Sequence, residues 1–136
     1  LTRVTGTNVS NIDGVIQANG GANLFIINPS GIVFGANARL NIGGSFVGTT
    51  ANSVKFADGT EFSTKNSNAP LLTISTPVGL NLTNPGAITV EGSGHNLFIT
   101  SALAPVIQYP NMSELRVKPE QTLALVGGNI LLDGGV

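Results

Sequence analysis

Residues 22–46 read ANLFIINPSGIVFGANARLNIGGSF, and this stretch decides the fold. Leu24 and Ile26, Ile32 and Phe34, and Leu40 and Ile42 form apolar-x-apolar pairs that return every eight residues. Alternation inside a pair gives a short strand with one buried face. The intervals hold Asn, Gly, Pro and Ser, which favour turns. A helix would place apolar residues three and four apart without such breakers. Short strands at a near-constant interval predict a coiled, stacked all-β structure.

The same beat runs outward in both directions. Towards the N-terminus, Val4, Val9, Ile12, Val15 and Ile16 alternate with Asp13-Gly14 and Asn19-Gly20-Gly21. Towards the C-terminus the pairs are Leu72 and Ile74, Leu80 and Leu82, Ile88 and Val90, and Leu97 and Ile99. Leu115 and Val117, Leu123 and Leu125, and Ile130 and Leu132 complete the series. Asn19, Gly20, Gly35, Gly43 and Gly44 are expected at structural turns, where sharp bends need permissive backbone angles. Three strands per coil take about 24 residues, so the chain predicts roughly five to six coils stacked ~4.8 Å apart.

Two segments depart from the beat. Residues 48–70 place Val54, Phe56 and Phe62 around Ala57-Asp58-Gly59-Thr60, and Asp-Gly between alternating apolar residues signals a two-residue hairpin turn. The segment reads as a hairpin excursion beside the stack, with an irregular rung as the alternative. Residues 101–113 carry two prolines and read as a loop. A two-sheet sandwich shares the strand spacing and is the competing all-β architecture, but a sandwich is built from hairpins and only one interval here carries a strong hairpin signal.

Composition narrows the function classes. The chain has 136 residues, enough for one domain, and 10% are charged, with a formal net charge of -1. With 41% hydrophobic residues it can build a continuous core. The six cations are scattered, which argues against nucleic acid as a partner. No apolar run is long enough to span a bilayer as a helix, so no membrane insertion is expected. Cysteine is absent, which removes disulfides and thiolate chemistry. Neither an initiator methionine nor a signal peptide stands at the start, and both ends read as cuts through a repeating object.

Candidate sites are few. In Asn28-Pro29-Ser30-Gly31, Pro29 fixes φ and Gly31 supplies a conformation other residues avoid, so the four shape a tight turn between strands. The same turn is the candidate for partner recognition. Phe34 and Phe46 read as core. Phe25 and Phe98 share the context Asn-Leu-Phe-Ile, out of phase with the aliphatic ladder, and are expected to pack on the outer face beneath an extra-helical element rather than stand exposed. Tyr109, flanked by proline, is the expected exposed aromatic. His95 stands alone and is no metal-site candidate. Gly92-Ser93-Gly94 lacks the lysine and helix of a phosphate loop. The acids Asp13, Asp58, Glu61, Glu91, Glu114, Glu120 and Asp133 are dispersed, with only Asp58 and Glu61 close in sequence. No catalytic, cofactor-binding or metal-ligating residue is expected.

The chain also resembles a known family. Asn11-Ile12-Asp13-Gly14-Val15-Ile16-Gln17-Ala18-Asn19-Gly20, Ala22-Asn23-Leu24-Phe25 and Ile27-Asn28-Pro29-Ser30-Gly31-Ile32-Val33-Phe34-Gly35 carry the likeness, continued by Asn37, Ala38, Leu40, Gly43, Gly44, Ser45 and Phe46. They resemble the filamentous haemagglutinin-type N-terminal secretion (TPS) domain of two-partner secretion exoproteins in Gram-negative bacteria, cyanobacterial members most of all. The family's hallmark is Asn-Pro-Asn-Gly, and Ser30 stands at its third position here. The resemblance implies a right-handed parallel β-helix with extra-helical β elements over residues 1–136, starting after the family's N-terminal cap.

It further implies a non-enzymatic recognition domain of a large exoprotein. Such a domain is bound in the periplasm by the POTRA domains of a dedicated outer-membrane transporter. The product is secreted or displayed on the cell surface, and the downstream exoprotein region carries adhesion or haemagglutination. Two other readings stay open: a structural or adhesive solenoid without a targeting role, and a carbohydrate-active β-helix enzyme, which would need paired carboxylates.

Overall fold

Leu24, Ile26, Ile32 and Phe34 turn inward from successive strands, and the chain winds around them. The computed structural model describes residues 1–65, 75–109 and 115–135. The first coil contains β1 (Thr2–Arg3), β2 (Ser10–Ile12) and β3 (Val15–Gln17). The second contains β4 (Leu24–Ile27), β5 (Ile32–Phe34) and β6 (Arg39–Asn41). The third begins with β7 (Phe46–Thr49), which leads into β8 (Ser53–Phe56), β9 (Glu61–Ser63) and β10 (Pro77–Asn81), outside the coil. It resumes at β11 (Ile88–Glu91) and departs again through β12 (Leu97–Phe98) and β13 (Ile107–Gln108). The fourth holds β14 (Leu123–Val126) and β15 (Ile130–Asp133).

Three parallel ladders define the faces. The first face stacks β1-β4-β7-β14, the second β2-β5-β11-β15 and the third β3-β6. Every pairing within them is parallel. Register aligns Ser10, Ile32, Ile88 and Ile130 in one column, and Leu24, Phe46 and Leu123 in another. Parallel strands joined by crossovers wind right-handed, and the architecture is a right-handed parallel β-helix. The facing antiparallel sheets of a sandwich do not occur among the described residues.

The core fills the tube between the faces. Ile32, Phe34, Ala38, Ile42, Phe46, Ile88, Val90 and Leu115 are buried together, with Ile12, Ile16, Leu24, Ile26, Leu40, Val117 and Leu125 against them. Phe34 and Phe46 meet edge to face, centroids 6.0 Å apart, the geometry an aromatic quadrupole favours.

A second cluster lies outside the tube. Ile27 is fully buried although it faces out of the first face, because Val54, Phe56 and Phe62 of the antiparallel sheet β10-β8-β9 cover it. The turn between β8 and β9 differs from the two-residue form expected. Gly59 N–H donates to Phe56 C=O and Phe56 N–H to Thr60 C=O, with Gly59 at φ +84°. That is a three-residue loop closed by a glycine bulge. Asp58 Oδ1 accepts from Thr60 N–H at 2.9 Å, which fixes the bend.

Three expectations are overturned. Sheets of four strands replace the five to six coils. Leu80 belongs to β10, antiparallel to β8, and Leu97 to β12, antiparallel to β13, so neither builds a rung. Residues 101–113 are not wholly loop, since β13 lies within them. Leu115 and Val117 do pack into the core, but in extended backbone without a strand partner. The pair Leu72 and Ile74 lies outside the described residues.

Candidate recognition site

The Asn28-Pro29-Ser30-Gly31 turn joins β4 to β5 at the corner between the first and second faces. Asn28 is fully buried, and every polar atom of its side chain is used. Its Nδ2 donates to Asn8 C=O at 2.9 Å and to Ser10 Oγ at 2.8 Å. Its Oδ1 accepts from Ser30 N–H at 3.0 Å. Gly31 N–H donates to Asn28 C=O at 3.1 Å, closing the turn, and Gly31 sits at φ +131°, where a Cβ is strained. Asn28 thus ties its own turn to the coil below.

The coil above repeats the motif. Ile88 stands opposite Ile32, and four residues before Ile88 the chain reads Asn84-Pro85-Gly86-Ala87. Gly86 N–H donates to Pro29 C=O at 2.8 Å, and a Cβ on Gly86 would meet Ser30 C=O at 2.5 Å. Thr50 Oγ1 donates to Gly86 C=O at 2.9 Å, and Gly128 N–H reaches the same carbonyl. The corner is a column of turns in register. The sequence carried a signal for this, the second Asn-Pro pair, but only the excursion-spanning register reveals that the pairs stack.

The other candidate positions line further corners. Asn19 and Gly20 bend the chain after β3, with Gly20 at φ +77°. Gly43 and Gly44 lie against Gly20 and Ala22 of the coil below. Gly35 lies against the Asp13 carboxylate. Phe25 is half-buried on the outside of the first face, while Phe98 and Tyr109 are 53% and 50% exposed at the β12–β13 hairpin. The structure does not bring these aromatics to the Asn28 corner.

Pro29 and Ser30 border an open cleft of about 480 Å³ with Val4, Gly6, Asn52, Thr64 and Lys65. A second, of about 670 Å³, lies on the third face between β6 and residues 116–121. A third brings Asp13 and Glu91 to one rim, a proximity the sequence does not reveal. Asp13 cannot act there as a general acid. Asn37 donates to both its oxygens, from N–H at 2.8 Å and from Nδ2 at 3.1 Å, and these bonds hold its pKa below the ordinary 3.8. A glycosidase acid needs the opposite shift. Glu61, near Asp58 in sequence, accepts instead from the Ser53 hydroxyl. Among the described residues no group of three or more His, Cys, Asp or Glu is placed to hold a metal ion, and no helix is long and apolar enough to cross a membrane.

Fold and corner together define a parallel β-helix carrying extra-helical antiparallel sheets, with the Asn28 side-chain network spent on stacking turns. The sequence matches the family model of the TPS secretion domain over residues 1–136, and the chain belongs to that family. This is a family of non-enzymatic secretion-recognition domains, found in exported and cell-surface proteins that pass through the periplasm. Its members are generally recognised by outer-membrane transporters with POTRA domains. No curated protein and no solved structure matches the chain.

Proposed function

We propose that this domain is the export-recognition element of a large adhesin- or haemagglutinin-like exoprotein, bound in the periplasm by the POTRA domains of one dedicated outer-membrane transporter. The observation that carries the reading is the family match over the whole of residues 1–136. The Asn28 turn serves recognition by holding Pro29 and Ser30 at the rim of their cleft, while Asn28 itself stays inside. The downstream exoprotein region carries the activity at the cell surface.

The test is export of the exoprotein with and without its transporter, paired with a pull-down of the domain by the transporter's purified periplasmic fragment. Export must require the transporter, and the fragment must capture the domain. Equal export without it leaves a structural or adhesive solenoid instead. Asn28→Ala removes two donors and one acceptor from a buried corner, which costs about 1–3 kcal/mol. Capture lost with unchanged far-UV circular dichroism assigns the turn to recognition; capture lost together with the β signal assigns it to folding alone.

A further inference from the structure

The third face is the incomplete side of the stack. β6 pairs with β3, and among the described strands nothing pairs with its other edge. Arg39 N–H donates to Gly14 C=O and Asn41 C=O accepts from Ala18 N–H, both on the β3 side. In a parallel ladder successive residues serve opposite neighbours, so the N–H and C=O of Leu40 face the open edge.

A segment with the right pattern lies nearby without closing that edge. Leu115 is buried, Arg116 exposed, Val117 half-buried and Lys118 exposed, the alternation of a strand. Arg116 stands seven positions before Leu123 of β14, as Arg39 stands seven before Phe46 of β7. Residues 116–118 therefore occupy the third-face position of their coil, yet form no ladder with β6. The cleft of about 670 Å³ separates the two, lined by Leu40, Asn41, Ile42, Val117 and Lys118 among others. An extended residue in a sheet fills ~160 Å³, from a rise of ~3.3 Å, a strand spacing of ~4.8 Å and a layer depth of ~10 Å. The space suits roughly four such residues.

Charge selects the occupant. Three of the chain's six cations, Arg39, Arg116 and Lys118, are exposed on the two segments that bound the cleft. Glu120 is the one acid among the described lining residues. We propose that this cleft receives a single extended strand of the transporter's periplasmic domain, hydrogen-bonded to the Leu40 edge and presenting acidic side chains to Arg116 and Lys118. The main chain supplies the pairing and the cationic rim selects the partner. This rests on the export-recognition reading and gives it a place on the surface.

The experiment uses the domain and the purified POTRA fragment of its transporter. Hydrogen–deuterium exchange over residues 38–42 is expected to be fast at Leu40 in the free monomer and protected in the complex. Charge reversal at two exposed positions, Arg116→Glu with Lys118→Glu, is expected to weaken capture at least about tenfold, more at low salt. Lys55→Glu, a single reversal on β8 away from both clefts, is expected to leave capture unchanged where Lys118→Glu alone weakens it, and Lys118→Arg to retain it. Circular dichroism and thermal unfolding establish that each variant is folded. Protection of Leu40 already in the free chain, through closure by residues 115–119 or by a second copy, overturns the proposal. So does native affinity in the charge-reversed variant, and the export reading then stands. Failure of the native domain to bind the fragment at all overturns both.

Discussion

Where the chain leaves its coil, between β7 and β11, it forms a sheet that packs; where it leaves again, after β11, it forms a hairpin that does not. The first departure lays Val54, Phe56 and Phe62 over Ile27, all at 5% exposure or less. The second leaves Leu97 60%, Ile107 41% and Leu103 99% exposed. Hydrophobic content does not separate them. The difference is in what becomes covered: the outward Ile27 of β4 joins the first excursion in one buried cluster, whereas no residue of β12 or β13 belongs to a buried cluster among the described residues. An excursion becomes part of the fold when a rung turns a large aliphatic side chain towards it, because burial needs two apolar surfaces.

The sharpest way to break that comparison is to truncate one phenylalanine in each region. Phe56 is 5% exposed on β8, in the cluster that covers Ile27, and Phe56→Ala is expected to cost about 3–5 kcal/mol in urea unfolding. Phe98, 53% exposed on β12, is expected to shift stability by no more than about 0.5 kcal/mol when replaced by Ala. Comparable losses would mean that the hairpin is packed after all.

The coil was legible because its period survives in the strands that stack. Leu24, Ile26, Ile32 and Phe34 announce inward faces by alternation alone, and the likeness centred on Asn28-Pro29-Ser30-Gly31 gave the same architecture. What misled was the same period where strands do not stack. Leu80 and Leu97 keep the apolar-x-apolar beat but sit in antiparallel pairs, and strand alternation carries no information about which neighbour a strand will take. The Asn28 turn was visible as a turn. Its donors to Asn8 and Ser10 were not, because they depend on coil-to-coil register. The third-face cleft was invisible for the opposite reason: Leu115 and Val117 read as a strand, and a missing ladder leaves no mark on sequence.

A smaller effect sharpens how the packed excursion is held. The Arg3 guanidinium lies 4.6 Å from the Phe62 ring centroid, and its Nη1 donates to Ser63 C=O at 2.8 Å. This joins the first coil to β9. Arg3→Ala is expected to destabilise by about 1–2 kcal/mol, from one cation–π contact and one charge-assisted hydrogen bond. Exchange should quicken at β9 while β5 is unchanged. Equal acceleration in both would show that excursion and coil open as one unit.

The smallest expected effect separates coil from excursion by pH. Asp13 accepts two hydrogen bonds from Asn37 in the next coil, and the backbone bond, foremost, keeps its carboxyl below the ordinary 3.8. A carboxyl whose pKa is lower folded than unfolded binds its proton more tightly in the unfolded chain. Its contribution is present above the unfolded value and fades as pH falls through the folded one. Between pH 5 and pH 2, then, the native chain is expected to lose more thermal stability than Asp13→Asn, which has no proton to take up there. Site-resolved exchange gives the decisive reading: acid should release the Asn37 amide, at the corner joining two coils, before it alters β8 and β9. Simultaneous release at both places would mean that Asp13 merely reports global unfolding, and the corner would then owe its geometry to the ladders on either side of it.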